Sequence, residues 1–105
     1  MGRIRKKEYF GDELTHSEAR VMAGIIRGDS NQLIADNLFI TLGGVKYHIT
    51  NMNKKLGIKA GRSRAIICRR WYVTKDFDQN VVYLVQQFVE RGYHDGPQES
   101  PQTSQ

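Results

Sequence analysis

Apolar residues recur at helical spacing in three consecutive segments, and each segment starts at a residue that caps helices. Thr15 and Glu18 form a capping box, in which each side chain accepts from the backbone N–H of the other residue. Asp29 or Ser30 is placed to cap the second segment, and Thr41 the third. Intervals of three and four residues predict one buried face for each helix. The predicted core positions are Ala19, Met22, Ala23 and Ile26, then Ile34, Ala35 and Leu38, and then Val45, Ile49, Met52 and Leu56.

Two more helices are predicted after the third. The fourth is expected near 62–71, followed by a break, and Asp76 or Asp78 is placed to cap the fifth. The segment 81–85 is rich in valine, so a strand is the competing interpretation there. Apolar residues continue at helical spacing through Phe88, which favours a helix. The predicted fold class is therefore all-α.

Composition along the chain divides it into four parts. Residues 1–12 are basic and are expected to form a flexible arm, and 13–71 hold the four-helix domain. The additional C-terminal helix lies in 72–92, where its wide apolar stripe either closes the core or forms a dimer interface. Residues 93–105 are mostly polar and contain both prolines, so a disordered tail is predicted.

Positive charge is concentrated in the middle of the chain, although the net charge is only +5. Between Asn37 and Lys75 there is no acidic residue. Such segregation attracts a phosphate backbone, and the alternative is a solvated basic surface with no partner. The cations of this stretch are Lys46, Lys54, Lys55, Lys59, Arg62, Arg64, Arg69, Arg70 and Lys75.

Several classes of protein are disfavoured by the sequence. No apolar run approaches the ~20 residues that span a bilayer, so we expect a cytoplasmic, nucleoid-associated protein with no membrane partner. The single Cys68 and the widely separated His16, His48 and His94 do not have the spacing of metal ligands. Neither a nucleophile–base set nor a phosphate-binding loop is found. We therefore expect no metal, no cofactor and no enzymatic activity.

The second and third predicted helices have the lengths and short joint of a helix-turn-helix. The third, about 42–56, is expected to enter the major groove as the recognition helix. Lysines on its outward face neutralise phosphates, while tyrosine, threonine and asparagine hydrogen-bond bases or pack on thymine methyls. The residues predicted to face outward are Lys46, Tyr47, Thr50, Asn53 and Lys54.

The stretch from Leu14 to Ile67 resembles the DNA-binding domain of LuxR-type, also called GerE-type, transcriptional regulators. The family patterns L-T-x-x-E, S-N-x-x-I-A, L-x-I, V-K-x-H and K-L-G occur here in order and at the family spacing. They comprise Leu14, Thr15 and Glu18; Ser30, Asn31, Ile34 and Ala35; Leu38 and Ile40; Val45, Lys46 and His48; and Lys55, Leu56 and Gly57.

The resemblance implies a four-helix domain that binds double-stranded DNA, usually as a homodimer on inverted half-sites. It assigns base contacts to Lys46, Tyr47 and Thr50. It assigns phosphate contacts to the helix N-termini and to the basic end of the third helix. The matching positions for phosphate are Asn31, Thr41, Lys54 and Lys55.

The sequence departs from the family pattern at Gly44, where the family usually has threonine. The change removes one hydroxyl, and Gly43–Gly44 loosens the helix start by roughly 1 kcal/mol per glycine. The competing hypothesis is therefore a protein-interaction module with weak or no specific readout, which pairs with a full-length regulator or with RNA polymerase. No sensor module precedes Leu14, so we expect no signal sensing within these 105 residues.

Overall fold

Every regular element that the computed structural model describes within residues 14–94 is helical. The all-α fold class is confirmed, and so is a helix rather than a strand at 81–85. The predicted basic arm and the tail from residue 95 onward lie outside the described residues. The helices are α1 (His16–Ile26), α2 (Asn31–Leu38), α3 (Leu42–Leu56), α4 (Ser63–Arg69) and α5 (Gln79–Arg91), with a π-helical turn (Arg70–Thr74) after α4.

The first three helices begin at the predicted caps. The Thr15 hydroxyl accepts from the Glu18 N–H at 3.1 Å, and Glu18 Oε1 accepts from the Thr15 N–H at 3.0 Å. Ser30 rather than Asp29 caps α2, and Thr41 caps α3. In both caps the hydroxyl accepts from the backbone N–H three residues later. Each bond satisfies a backbone donor that the first helical turn leaves unpaired.

The core forms around α1, which the other helices enclose. Its side chains from Val21 to Ile26 are buried, as are the predicted apolar faces of α2 and of the first half of α3. Ile49 and Leu56 were predicted in the same core, but they pack only at its edge. The fully buried aliphatic side chains include Met22, Ile25, Ile34, Val45 and Met52.

Gly24 on α1 permits a close approach of neighbouring segments. A Cβ atom there would lie 2.7 Å from Ile34 Cγ1 on α2 and 3.0 Å from Tyr93 Cζ beyond α5. Real Cβ atoms do not sit so close to other heavy atoms, because interiors are packed to van der Waals contact. The missing side chain therefore sets the depth at which α2 and the C-terminal segment pack on α1.

The end of the fourth helix differs from the sequence-based prediction. We expected a helix to residue 71 and then a break, whereas the helical path continues through a π-turn to Thr74. In that wider turn the Tyr72 hydroxyl donates to the Ile26 carbonyl at 3.1 Å, and the Trp71 ring packs on Phe77 at 6.0 Å. These tertiary contacts accompany the continuation of the helix to Thr74. The helical periodicity of the sequence does not contain them.

The C-terminal helix α5 packs on α1. Val81 and Val85 are buried, and Phe88 lies edge-on to the His16 ring at 6.1 Å. The guanidinium of Arg27, at the end of α1, donates to the carbonyl of Val89 at 2.5 Å. The helix thus contributes to closing the core, which was one of the two predicted roles for it.

Tyr93, the first residue of the predicted tail, is buried and only 1% exposed. The chain turns at Gly92, whose φ of +104° lies in the region that favours glycine. Tyr93 then points back to α1, and its hydroxyl bonds Asp29 and Asn37. Burial is the main cause that raises the pKa of Tyr93 to about 12, and the bond to Asp29 is the second. The phenol therefore keeps its proton, and donates to Asp29, well above neutral pH.

We expect Gly24→Ala to lower the free energy of unfolding by about 1–3 kcal/mol, because overpacking outweighs the better helix propensity of alanine. Gly43→Ala is the matched control, since the nearest atom to its Cβ is Thr41 Oγ1 at 3.8 Å. There the propensity gain, up to about 1 kcal/mol, is expected to remain. Urea denaturation of both variants checks this, and equal stabilities would contradict the close-approach argument.

Candidate nucleic-acid interface

The joint between α2 and α3 sets the direction in which α3 leaves the core. Phe39 ends α2 in the left-handed conformation with a φ of 57°, and its ring is 75% exposed. This conformation costs roughly 1–2 kcal/mol for a residue with a side chain. Packing on both sides of the joint fixes it, because Ala35 is buried in α2 and Val45 in α3. The two helices therefore form the predicted helix-turn-helix.

The exposed side of α3 holds four of the predicted contact residues. Lys46, Tyr47, Thr50 and Lys54 all face solvent, and the Tyr47 side chain is 64% exposed. The Tyr47 ring lies edge-on to His48 at 5.7 Å. The Thr50 hydroxyl donates to the Lys46 carbonyl at 3.0 Å, which leaves its acceptor capacity available to a ligand. One helix face thus combines cationic, aromatic and hydroxyl groups.

Asn53 does not face outward as the sequence pattern predicted. It is 8% exposed, and its Oδ1 accepts from the Ser63 hydroxyl at 2.9 Å. The partner of this bond belongs to α4, which the periodicity of α3 does not include. Asn53 therefore connects α3 to α4, and its role in DNA contact stays a prediction.

Lys55 was predicted to contact phosphate, but the structure places it in an ion pair. Its Nζ lies 2.7 Å from Glu18 Oε1, and the Glu18 side chain is only 4% exposed. The same carboxylate accepts from the Thr15 backbone N–H in the capping box. Lys55 thus links the end of α3 to the start of α1 and compensates a buried charge.

The two predicted phosphate contacts at helix starts also have structural roles. Asn31 Oδ1 accepts from the Arg64 guanidinium at 2.8 Å, and the Arg64 group also donates to the Asp29 carbonyl at 2.6 Å. The Thr41 hydroxyl accepts from the Gly44 N–H at 2.9 Å. Asn31 and Thr41 both lie where the positive end of a helix dipole favours an anion.

An open cleft of about 750 Å³ separates α3 from the segment that leads into α4. Four predicted contact residues line it together with two arginines: Asn31, Lys46, Thr50, Asn53, Arg62 and Arg64. Sequence reasoning counted both arginines among the cations but did not place them in the site. Their position depends on how α4 packs, and the acid-free segment was the only signal that pointed to them.

The chemistry of this cleft suits a phosphodiester. Lysine and arginine side chains surround it, and none of its lining residues is acidic. Among residues 14–94, no three histidine, cysteine, aspartate or glutamate side chains come together in a way that would hold a metal ion. In the same part of the chain, no helix is both long and apolar enough to cross a membrane.

Known proteins similar to this chain are bacterial regulators. The chain is 37% identical over 62 residues to the transcriptional regulatory protein LnrK of Bacillus subtilis and 36% identical over 59 residues to LiaR of the same organism. These matches cover 59% and 56% of this chain but 28% of each relative. The spore germination protein GerE of Bacillus subtilis is 35% identical over 65 residues, which are 61% of this chain and 86% of GerE.

No solved structure gives a significant match to the chain. A family model, that of the GerE domain of bacterial regulatory proteins of the luxR family, matches residues 12–68. The match spans α1 to α4 and therefore includes the helix-turn-helix and the cationic cleft. The predicted resemblance is confirmed: the chain belongs to the luxR family of bacterial regulatory proteins.

Proposed function

We propose that this chain is a cytoplasmic transcriptional regulator that binds double-stranded DNA in a sequence-specific way, with α3 in the major groove. The observation that carries the proposal is the exposed face of α3 beside the cationic cleft. With 15 residues, α3 is about 22 Å long, whereas the major groove is about 12 Å wide. The helix is therefore long enough to present several side chains to base edges.

Base readout is assigned to Lys46, Tyr47 and Thr50. Lysine donates to the O6 and N7 acceptors of guanine, and threonine contacts either a base edge or a thymine methyl. The exposed Tyr47 ring is packed against one neighbour and offers both an apolar edge and a hydroxyl. Thr50 lies four residues after Lys46 and three after Tyr47, so the three side chains share one side of the helix.

Phosphate binding is assigned to the residues that surround this face. Asn31 and Thr41 begin α2 and α3, Lys54 lies near the end of α3, and Arg62 and Arg64 form the opposite wall of the cleft. Contacts of this kind position a protein on the duplex without reading its sequence. They lie on more than one side of the predicted base contacts, so they can fix the position of the protein along the DNA.

The proposal includes a homodimer, because inverted half-sites need two copies at a fixed spacing. The apolar side chains that remain exposed beyond α4 support an interface there. Tyr72 is 60% exposed, Val73 is 70% exposed, and Tyr83 on α5 is 72% exposed. We assign the contact between copies to α4, its π-turn and α5.

A second candidate function is a protein-interaction module that pairs with a full-length regulator or with RNA polymerase. The observation that favours it is a set of apolar side chains left exposed around the helix-turn-helix joint. These are Leu33, Phe39 and Leu42, of which Phe39 is the most exposed at 75%. Such an apolar surface suits a protein partner.

We expect selection from random duplex DNA to enrich an inverted repeat. Lys46→Ala and Tyr47→Ala should each weaken binding to that sequence by about ten- to a hundredfold, because each removes contacts to bases. Lys54→Ala should weaken binding to selected and random duplexes about equally, since a phosphate contact carries no sequence information. Fluorescence anisotropy at physiological salt measures all three variants.

Arg91→Ala and Tyr83→Ala are the matched controls for these losses. Both side chains are exposed on α5, and neither lines the cleft. Arg91→Ala removes one positive charge, as Lys46→Ala does, and Tyr83→Ala removes a tyrosine ring, as Tyr47→Ala does. Neither change should affect binding of the monomer to a single half-site. An unenriched pool, with only weak and salt-sensitive binding, would overturn specific DNA readout and favour the interaction module.

The dimer makes a separate prediction. At high micromolar concentration, sedimentation velocity should show a dimer, and Tyr83→Asp should raise its dissociation constant by at least about tenfold if this ring is an anchor of the interface. Arg91→Ala, also exposed on α5, should leave the dissociation constant unchanged. A monomer at every concentration, with and without DNA, would contradict the dimer.

A further inference from the structure

Tyr93 connects the end of the chain beyond α5 to the start of α2. Its hydroxyl donates to the Asp29 carboxylate and accepts from Asn37 Nδ2 at 2.9 Å. The ring is buried and lies against α1 at Gly24, where any larger residue would displace it. A buried hydroxyl with a donor and an acceptor both satisfied holds its partners in one arrangement.

Asp29 carries this connection to the candidate DNA interface. Its carboxylate is bound by Tyr93, and its carbonyl accepts from the Arg64 guanidinium at 2.6 Å. The same guanidinium reaches Asn31 Oδ1 at 2.8 Å, and both Arg64 and Asn31 line the cleft. A continuous series of hydrogen bonds therefore runs from Tyr93 to the wall of the cleft.

The charge of Asp29 makes its orientation matter for a polyanionic ligand. Arg64, which lines the cleft, donates to the backbone carbonyl of Asp29, so Asp29 is adjacent to a residue on the proposed path of the DNA backbone. A carboxylate turned toward that path would repel phosphate. The charge-assisted bond from the Tyr93 phenol directs it toward the interior instead.

We propose that Tyr93 is a positioning residue for DNA binding. It keeps the Asp29 carboxylate away from the cleft, and it fixes Asn31, at the start of α2, and Arg64, on α4. This inference rests on the proposed function. It gives the segment after α5, which lies outside the family match at 12–68, a role in the affinity of the helix-turn-helix. Tyr93 itself does not touch the DNA.

The test compares Tyr93→Phe in two backgrounds, wild type and Asp29→Asn, by anisotropy with the selected duplex. In the wild-type background we expect about three- to tenfold weaker binding, because the change removes one hydrogen bond to a charged group. With Asp29→Asn the released side chain has no charge, so Tyr93→Phe should weaken binding less than about twofold. Equal losses in both backgrounds, or no loss in either, would overturn the proposal.

Tyr72→Phe is the matched control for loss of a tyrosine hydroxyl. The Tyr72 hydroxyl also bonds the end of α1, donating to the Ile26 carbonyl, but none of its bonds leads to Asp29. Tyr72 belongs to the proposed contact between copies, so this control and Tyr93→Phe are compared on a duplex with a single half-site, which binds one copy. There we expect removal of the Tyr72 hydroxyl to leave the DNA dissociation constant unchanged even where it lowers the melting temperature. A loss of affinity equal to that of Tyr93→Phe would show a general effect of stability and would overturn the positioning role.

Amide hydrogen exchange, followed by NMR, tests the same inference without DNA. Tyr93→Phe should speed exchange at Asp29 and Leu33 by about tenfold, because their N–H groups bond Gly24 and the Ser30 hydroxyl in the segment that Tyr93 holds. The amide of Val45, at the start of α3, should not change. Unchanged exchange at Asp29 and Leu33 would overturn the positioning role.

The two readouts separate this inference from the proposed function. If the wild-type chain binds no duplex, the proposed function fails, while the exchange comparison still decides whether Tyr93 positions the start of α2. If the wild-type chain binds the duplex, but Tyr93→Phe has the same effect on binding in the wild-type and Asp29→Asn backgrounds, the proposed function stands and the inference fails.

Discussion

The burial of α1 is the constraint on which the rest of the structure depends. This helix meets α2, α3, α4 and α5, so its surface decides how each of them is oriented. Its start is fixed by Glu18, whose carboxylate closes the capping box and pairs with Lys55 at the end of α3. Near its end, Gly24 lets α2 and the segment after α5 come within van der Waals contact of the backbone. Polar bonds at one end and close packing near the other thus hold the assembly in register.

The candidate interface follows from this arrangement because the two sides of α3 are not independent. Val45 and Met52 are fully buried on one side, and this fixes the rotation of the helix about its own axis. Lys46, Tyr47 and Thr50 then have to face solvent, since 3.6 residues complete each turn. Substitutions in the core of α3 would therefore change the direction of these three exposed side chains as well as the stability of the fold.

Sequence reasoning succeeded where the determining interaction is local. The caps at Thr15, Ser30 and Thr41 involve residues three apart, and the buried faces follow from helical spacing, so both could be predicted. The burial of Asn53 was not predicted, because its hydrogen-bond partner, Ser63, belongs to another helix. The failure is physical: a helical pattern describes one helix and does not contain the segment that packs over it.

Arg64 and Tyr93 were missed for the same reason, but with more consequence for the site. Arg64 reaches Asn31 across 33 positions of sequence, and Tyr93 reaches Asp29 across 64. Tyr93 also follows a glycine and precedes a polar tail, a context that is typical of disorder. What distinguishes it is a buried space beside Gly24 that only the assembled helices create. Such long-range hydrogen bonds join the part of the chain that the family model matches to the part beyond it. Through them, an added C-terminal helix would alter an otherwise ordinary DNA-binding domain.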